Sequence, residues 1–223
     1  MSNIERLSEV IAVKILKLLS TDDKDKQEVL AYGAFVLIQT IISIILIAIF
    51  GVVFNVMLEA LIISLVASIL RKSSGGAHAS SPINCALISV IIFGGLALIV
   101  KNYIMNMVLL YLAIVMIIAF IFTLCIMYKY SPVETANKPL RNENTRKRLK
   151  KLSIKNVIVL LVINIILMFI YLQTEQAILI AIAICIVVGA VWQSLTMISL
   201  GHKIINRLDR VLRGISNLVR RII

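Results

Sequence analysis

Between Glu28 and Glu59 the chain carries no charged side chain. The stretch Val29–Phe54 is almost wholly aliphatic and aromatic, and its polar side chains are Tyr32, Gln39, Thr40 and Ser43. As an α-helix it would rise about 39 Å, more than the ~30 Å of hydrocarbon in a bilayer. A surface this apolar has no place in water. In lipid every backbone N–H and C=O must be satisfied within the structure, so a spanning segment of this kind is a helix.

Further apolar runs follow. They are about Ile83–Val100, Ile104–Met127, Asn156–Leu172 and Ala177–Leu200. A shorter one, Val56–Leu70, contains Glu59. At about 22 Å as a helix it falls short of the hydrocarbon, so it must use its flanks, thin the bilayer or end at a buried loop. With 61% hydrophobic residues and a mean hydropathy of +1.02, the chain is far more apolar than a water-soluble domain. The expectation is an all-α integral membrane protein of six transmembrane helices. It forms a single membrane domain over 1–223: an amphipathic helix in 1–27, a six-span core over 28–200 and a second amphipathic helix in 201–223.

The net charge of +12 would suit a nucleic-acid binder, but the basic residues follow topology instead. If both termini share one side, twenty-two of the twenty-three Lys and Arg lie on that side, and only Lys101 falls on the other. The positive-inside rule makes that side the cytoplasm. The start "MSNIERLSEVIAVKILKLLS" has no clean apolar core and is not a signal peptide. Its apolar residues recur at helical spacing, as in a helix lying on the membrane surface. In the C-terminal piece Ile204, Leu208, Val211, Leu212, Ile215, Leu218 and Ile222 form one stripe with arginines opposite. Such a helix lies on an inner leaflet rich in anionic lipid. No internal repeat of the transporter kind is present.

One cytoplasmic connection stands apart, "LRKSSGGAHASSPINCALIS", Leu70–Ser89. It holds His78, one of two histidines, and Cys85, one of three cysteines. Cys125 and Cys185 lie within apolar runs, so no disulfide framework is expected, and the cytosol keeps thiols reduced. A thiolate is the nucleophile, and a histidine can take its proton. On one straight helix, seven residues would separate the two side chains by about 10.5 Å, too far for a hydrogen bond. The segment must therefore break. Gly75 and Gly76 loosen the chain before His78. Ser81 suits an N-cap and Pro82 the first position of a new helix, which places Cys85 in or just beyond its first turn. There the helix end favours negative charge on sulfur, free N–H groups can hold an oxyanion, and His78 can fold back from a mobile loop. Arg71 and Lys72 add positive charge, while Ser80, Ser81 and Asn84 suit capping and turn formation. Gln39, Asn164 and Gln193 are expected to bond between helices, Glu59 to snorkel to water, and His202 to sit at the interface.

The arrangement Arg71, Gly75-Gly76, His78 and Cys85 resembles the signature of the accessory gene regulator protein B (AgrB) family, bacterial membrane cysteine endopeptidases. The stretch "SPVETANKPLRNENTRKRLKK", the length, the span count and the amphipathic start are also similar to that family, so the resemblance covers nearly the whole chain. It implies that a short AgrD-like precursor is processed into a cyclic autoinducing peptide for quorum sensing. Cys85 would attack the carbonyl at the end of the future ring, His78 would be its general base, and a cysteine or serine of the peptide would close the ring. A homodimer fits the resemblance. Neither cofactor nor metal is called for. Arg146, Lys147 and Arg148 could dock an acidic peptide in addition to setting topology. The competing readings are an export factor for a small signalling peptide, and a membrane scaffold or sensor that leaves the Gly-Gly, His and Cys pattern without a purpose.

Overall fold

A computed structural model of the chain describes residues 3–18, 23–77, 79–133 and 142–222. Among them all regular structure is helical, in eight α-helices and one short 3-10 turn. They fall into two compact units, Met1–Leu46 and Ile47–Ile223.

The first unit holds α1 (Asn3–Leu18) and most of α2 (Lys24–Val53). In α1, Glu5 in the first turn and Lys17 in the last oppose the helix dipole. Helix α2 starts before the apolar run because Asp23 caps it. Its Oδ1 accepts from the N–H groups of Asp25 (3.1 Å) and Lys26 (3.4 Å).

The second unit holds the end of α2, then α3 (Met57–Ser74), α4 (Pro82–Asn102) and a 3-10 turn (Ile104–Asn106). Next come α5 (Leu109–Tyr130), α6 (Glu143–Thr174), α7 (Ala177–Leu195) and α8 (Ser199–Ile222). Helix α7 is the centre. It packs on α3, α4, α5 and α6, and 56% of its apolar window is buried, against 17–28% for α4, α5 and α6. Those three therefore keep broad apolar faces on the outside, where lipid would cover them. Its closest partner is α3. Asn164 donates to Ala183 O at 2.7 Å, joining α6 to α7 as expected of a polar group between spans.

Among the described residues five helices are long and apolar enough to cross a membrane: α2 from Asp25, α4, α5, α6 and α7. Six were expected. The exception is α3, whose 18 residues include Glu59, Arg71 and Lys72. Three other boundaries also differ. The fourth apolar run does not enter its helix at Ile104, since the 3-10 turn comes first and α5 starts at Leu109. The basic run expected in a loop is the start of α6, because Arg, Lys and Leu favour helix. Asn142 caps it, accepting from Asn144 N–H at 2.9 Å, and Lys147 pairs with Glu143 at 2.9 Å. The last run stops at Leu195 instead of Leu200. Thr196 Oγ1 turns back to donate to Gln193 O at 2.7 Å, and Met197 and Ile198 N–H bond the carbonyls three residues earlier. That turn frees α8 to leave the axis of α7 and pack on α4.

Candidate functional site

The break between α3 and α4 falls where the sequence places it. Helix α3 ends at Ser74 and α4 begins at Pro82. Ser81 is the N-cap, its Oγ accepting from Asn84 N–H at 3.2 Å, and Pro82 opens the helix. Cys85 is the fourth residue of α4. It is a half-buried free thiol whose N–H donates to Ser81 O at 2.9 Å. The positive end of the α4 dipole therefore lies at the sulfur's own turn. His78, the expected base, lies outside the described residues.

The oxyanion expectation needs revising. Pro82 has no N–H, Asn84 N–H is taken by the Ser81 side chain, and Cys85 N–H by the Ser81 carbonyl. Among the described residues Ile83 N–H alone in this turn is left uncommitted. A cap and a proline that build the helix end also use up its donors. Arg71 supplies what the backbone does not. It is half-buried while its neighbour Lys72 is exposed, and it lies close enough to Cys85 for an electrostatic interaction. One guanidinium N–H group donates to Ala77 O, so this side chain braces the loop. Two adjacent basic residues that looked alike in sequence thus do different work.

Gly75 and Gly76 do not loosen the chain. Both have positive φ, 74° and 134°, which disfavours any other residue. A Cβ on Gly75 would run into Val133 O, and one on Gly76 would lie 2.6 Å from Thr196 Oγ1. The turn is clamped from several sides. Gln193, fully buried in α7, donates from Nε2 to Gly75 O (2.7 Å) and to Ser74 Oγ (3.0 Å). Ala77 N–H donates to Thr196 O at 3.1 Å, and Val133 N–H to Ser74 O at 2.8 Å. Gln193 bonds between helices as expected, and in doing so forms the floor under the loop. Gly76→Ala is expected to cost about 1–3 kcal/mol of backbone strain. A lower thermal midpoint would report it. Gly95→Ala is the control, since Gly95 has open space around it, and should leave the midpoint unchanged.

On the far side of position 78 the clamp is Asp209, a residue the sequence reading passed over. Its carboxylate is buried although it sits on the amphipathic α8. Oδ1 accepts from Ser80 Oγ (2.9 Å), Ser80 N–H (3.4 Å) and Asn84 Nδ2 (2.8 Å), and Oδ2 pairs with Arg213 at 3.2 Å. Burial pushes this carboxyl up, but the bonds from Asn84 and Ser80 with the charge of Arg213 outweigh it and hold it below the usual carboxylate range. A depressed carboxyl contributes its stabilisation above its unfolded pKa, and that contribution fades as pH falls through the folded value. The tie from α8 to α4 is therefore intact at neutral pH. It could have been suspected in sequence, since Asp209 is the only acidic side chain after Glu175.

Of the remaining residues, Cys125 lies exposed on α5 and Cys185 is buried in α7. Arg146, Lys147 and Arg148 are exposed on the first turns of α6. Among the described residues no cluster of His, Cys, Asp and Glu could hold a metal ion.

The family model described as Accessory gene regulator B matches residues 8–197. A Clostridium perfringens (strain SM101 / Type A) protein bearing an AgrB-like name is 37% identical over 207 residues, covering 92% of this chain and 96% of that protein. An AgrB-like protein of Halalkalibacterium halodurans is 23% identical over 214 residues, with 95% of each covered. No solved structure matches the chain.

Proposed function

Because this chain belongs to the Accessory gene regulator B family, we propose that it is a membrane cysteine endopeptidase that cuts and cyclises a short AgrD-like quorum-sensing precursor. The observation that carries the reading is the capped N-terminal turn of α4, which presents the half-buried Cys85 thiol at the positive end of the helix dipole. On this reading the chain crosses the bacterial cell membrane six times, α3 included, and the site faces the cytoplasm, as the distribution of Lys and Arg requires.

In the first step His78 takes the Cys85 proton and Sγ attacks the carbonyl at the end of the future ring. Arg71 and the Ile83 N–H face the charge that develops on the carbonyl oxygen. The C–N bond then breaks, His78 returns the proton to the leaving nitrogen, and the tail departs. What remains is a thioester on Cys85. In the second step the thiol of a cysteine within the bound peptide loses its proton and attacks that thioester. Cys85 leaves as the thiol, and the product is a thiolactone. A serine hydroxyl would give a lactone instead. Thioester exchange nearly conserves bond type, and holding both ends of the peptide in one site supplies a high effective concentration. Water must be kept out, because hydrolysis would waste the intermediate. Thioester formation from an amide is uphill, so loss of the tail or export of the product has to draw the reaction forward.

The test is to reconstitute the protein in liposomes with a synthetic AgrD-like precursor peptide and follow products by mass. A cleaved tail, a ring lighter by one water than the linear fragment, and a peptide adduct on Cys85 are expected. Intact precursor at all times would end the reading, and an exporter would instead move the peptide across the bilayer uncut. Docking of the precursor to α6 is a separate matter. Converting Arg146, Lys147 and Arg148 together to glutamine is expected to raise KM several-fold for an acidic precursor with kcat little changed. An unchanged KM would leave those residues with topology alone.

A further inference from the structure

The amphipathic α8 has two different flanks. Val211, Ile215 and Leu218 are exposed, as suits a lipid surface, whereas Gly201, Ile205 and Asp209 are buried. The buried three are spaced four apart, so they form one line along the helix. Gly201 packs on the Leu195–Thr196 backbone and Asp209 reaches Asn84 of α4, so the line ends in a carboxylate rather than an apolar group. A plain anchor has no use for a buried acid. Removing a carboxylate from water is costly unless it is paired and hydrogen-bonded, and here it accepts three bonds and one ion pair.

All three bonds converge on two residues of the proposed site. Ser80 follows His78 by two positions, and Asn84 immediately precedes Cys85. One carboxylate oxygen therefore ties the chain just after the proposed base to the turn that carries the proposed nucleophile. On the other side of position 78 the chain is already fixed, by Arg71 and Thr196 on Ala77. Without Asp209 the second flank of the loop would lose its partner, and Ser80 and Asn84 would turn to water. The short connection before the Ser81 cap would then be held to the Cys85 turn by the chain alone.

We propose that Asp209 is a positioning residue of the peptidase site, holding Ser80 and Asn84 so that the His78 loop and the Cys85 turn keep one relative geometry, and that α8 is thereby part of the active site. The proposal rests on the peptidase reading for its kinetics, but the loop geometry can be read without any peptide.

The experiment uses the full chain in liposomes, with Cys125 and Cys185 changed to alanine so that Cys85 is the one thiol. Two quantities are measured: cleavage of a synthetic AgrD-like precursor peptide, and the rate of Cys85 alkylation by iodoacetamide across pH. Asp209→Ala is expected to lower kcat by about 10- to 100-fold with KM changed less than about three-fold, the scale of a misplaced reacting group. Its alkylation profile should move along the pH axis. Asp209→Asn keeps an acceptor oxygen for Ser80 and Asn84 and should recover kcat to within about five-fold of the parent. Parent-like kcat and alkylation in Asp209→Ala would overturn the proposal. So would equal loss in Asn and Ala variants, which would mean that charge and not the hydrogen bonds matters. If Asp209→Ala does not fold, Ser80→Ala with Asn84→Ala decides, because it removes side-chain donors and leaves α8 untouched. A parent-like kcat there overturns the proposal, and a matching loss supports it. If the parent itself cuts no peptide, the peptidase reading fails, and the alkylation profiles still decide the role of Asp209.

Discussion

Cys85→Ala is expected to cut peptide cleavage by about 10,000-fold or more, to the limit of detection, with the protein still inserted and folded. The fold should survive because Cys85 is half-buried in a helix and alanine is the best helix former. No other group can take over. Cys125 is exposed on another helix and Cys185 is shut inside α7, while the hydroxyls beside Cys85 are occupied: Ser81 caps α4 and Ser80 bonds Asp209. Cys85→Ser should be nearly as inactive, since a hydroxyl is far harder to ionise than a thiol. His78→Ala is expected to fall to a similar level. Residues that act as a unit are not additive, so the double variant should be little worse than either single one. Cleavage rates for the four variants, with far-UV circular dichroism as the check on folding, test this. Normal cyclic peptide from Cys85→Ala would remove the cysteine from the mechanism. A double variant much worse than both singles would separate His78 from it.

The helical architecture was legible because lipid enforces it: long uncharged runs have one available structure. The start of α4 was legible for a different reason. Serine before proline is a local signal, and nothing distant competes with it. Features made by distant residues were hidden. Gly75 and Gly76 read as slack, yet they are a packed turn, because Val133, Gln193 and Thr196 come from elements far along the chain. Asp209 was invisible as a site residue because its partners lie more than a hundred positions away, at 125 and 129 residues' separation. The oxyanion expectation narrows to the Ile83 N–H through local accounting. The cap and proline that announce a helix start also consume the N–H groups that a free helix end would offer. Periodicity also overstated α7, since side-chain hydroxyls at Ser194 and Thr196 turn the chain without interrupting the apolar run.

That loss of backbone donors puts the weight of charge stabilisation on Arg71, and the second large effect is expected there. Arg71→Gln should lower kcat by about 100- to 1,000-fold, the usual scale for removing one donor aimed at developing charge. Two consequences of the substitution combine. The positive charge that interacts with Cys85 disappears, and the negative end of the α3 dipole, at whose last turn Arg71 and Lys72 sit, loses one of its two opposing cations. The bond to Ala77 O is weakened as well, so the loop loses a brace on its first flank. Arg71→Lys keeps the charge but not the planar fork, and cannot brace Ala77 and face Cys85 together. A loss of about ten-fold is expected. Lys72 is the internal control. It is exposed one position away, so Lys72→Gln removes the same charge from the same membrane face and should change kcat by less than about three-fold. If these residues served topology alone, the two glutamine variants would behave alike, because the positive-inside rule counts charges and not their direction. A difference of two orders of magnitude between neighbours can come only from where each side chain points. Comparing kcat for the three variants, with membrane orientation read by labelling from each side, distinguishes a catalytic arginine from a topological one.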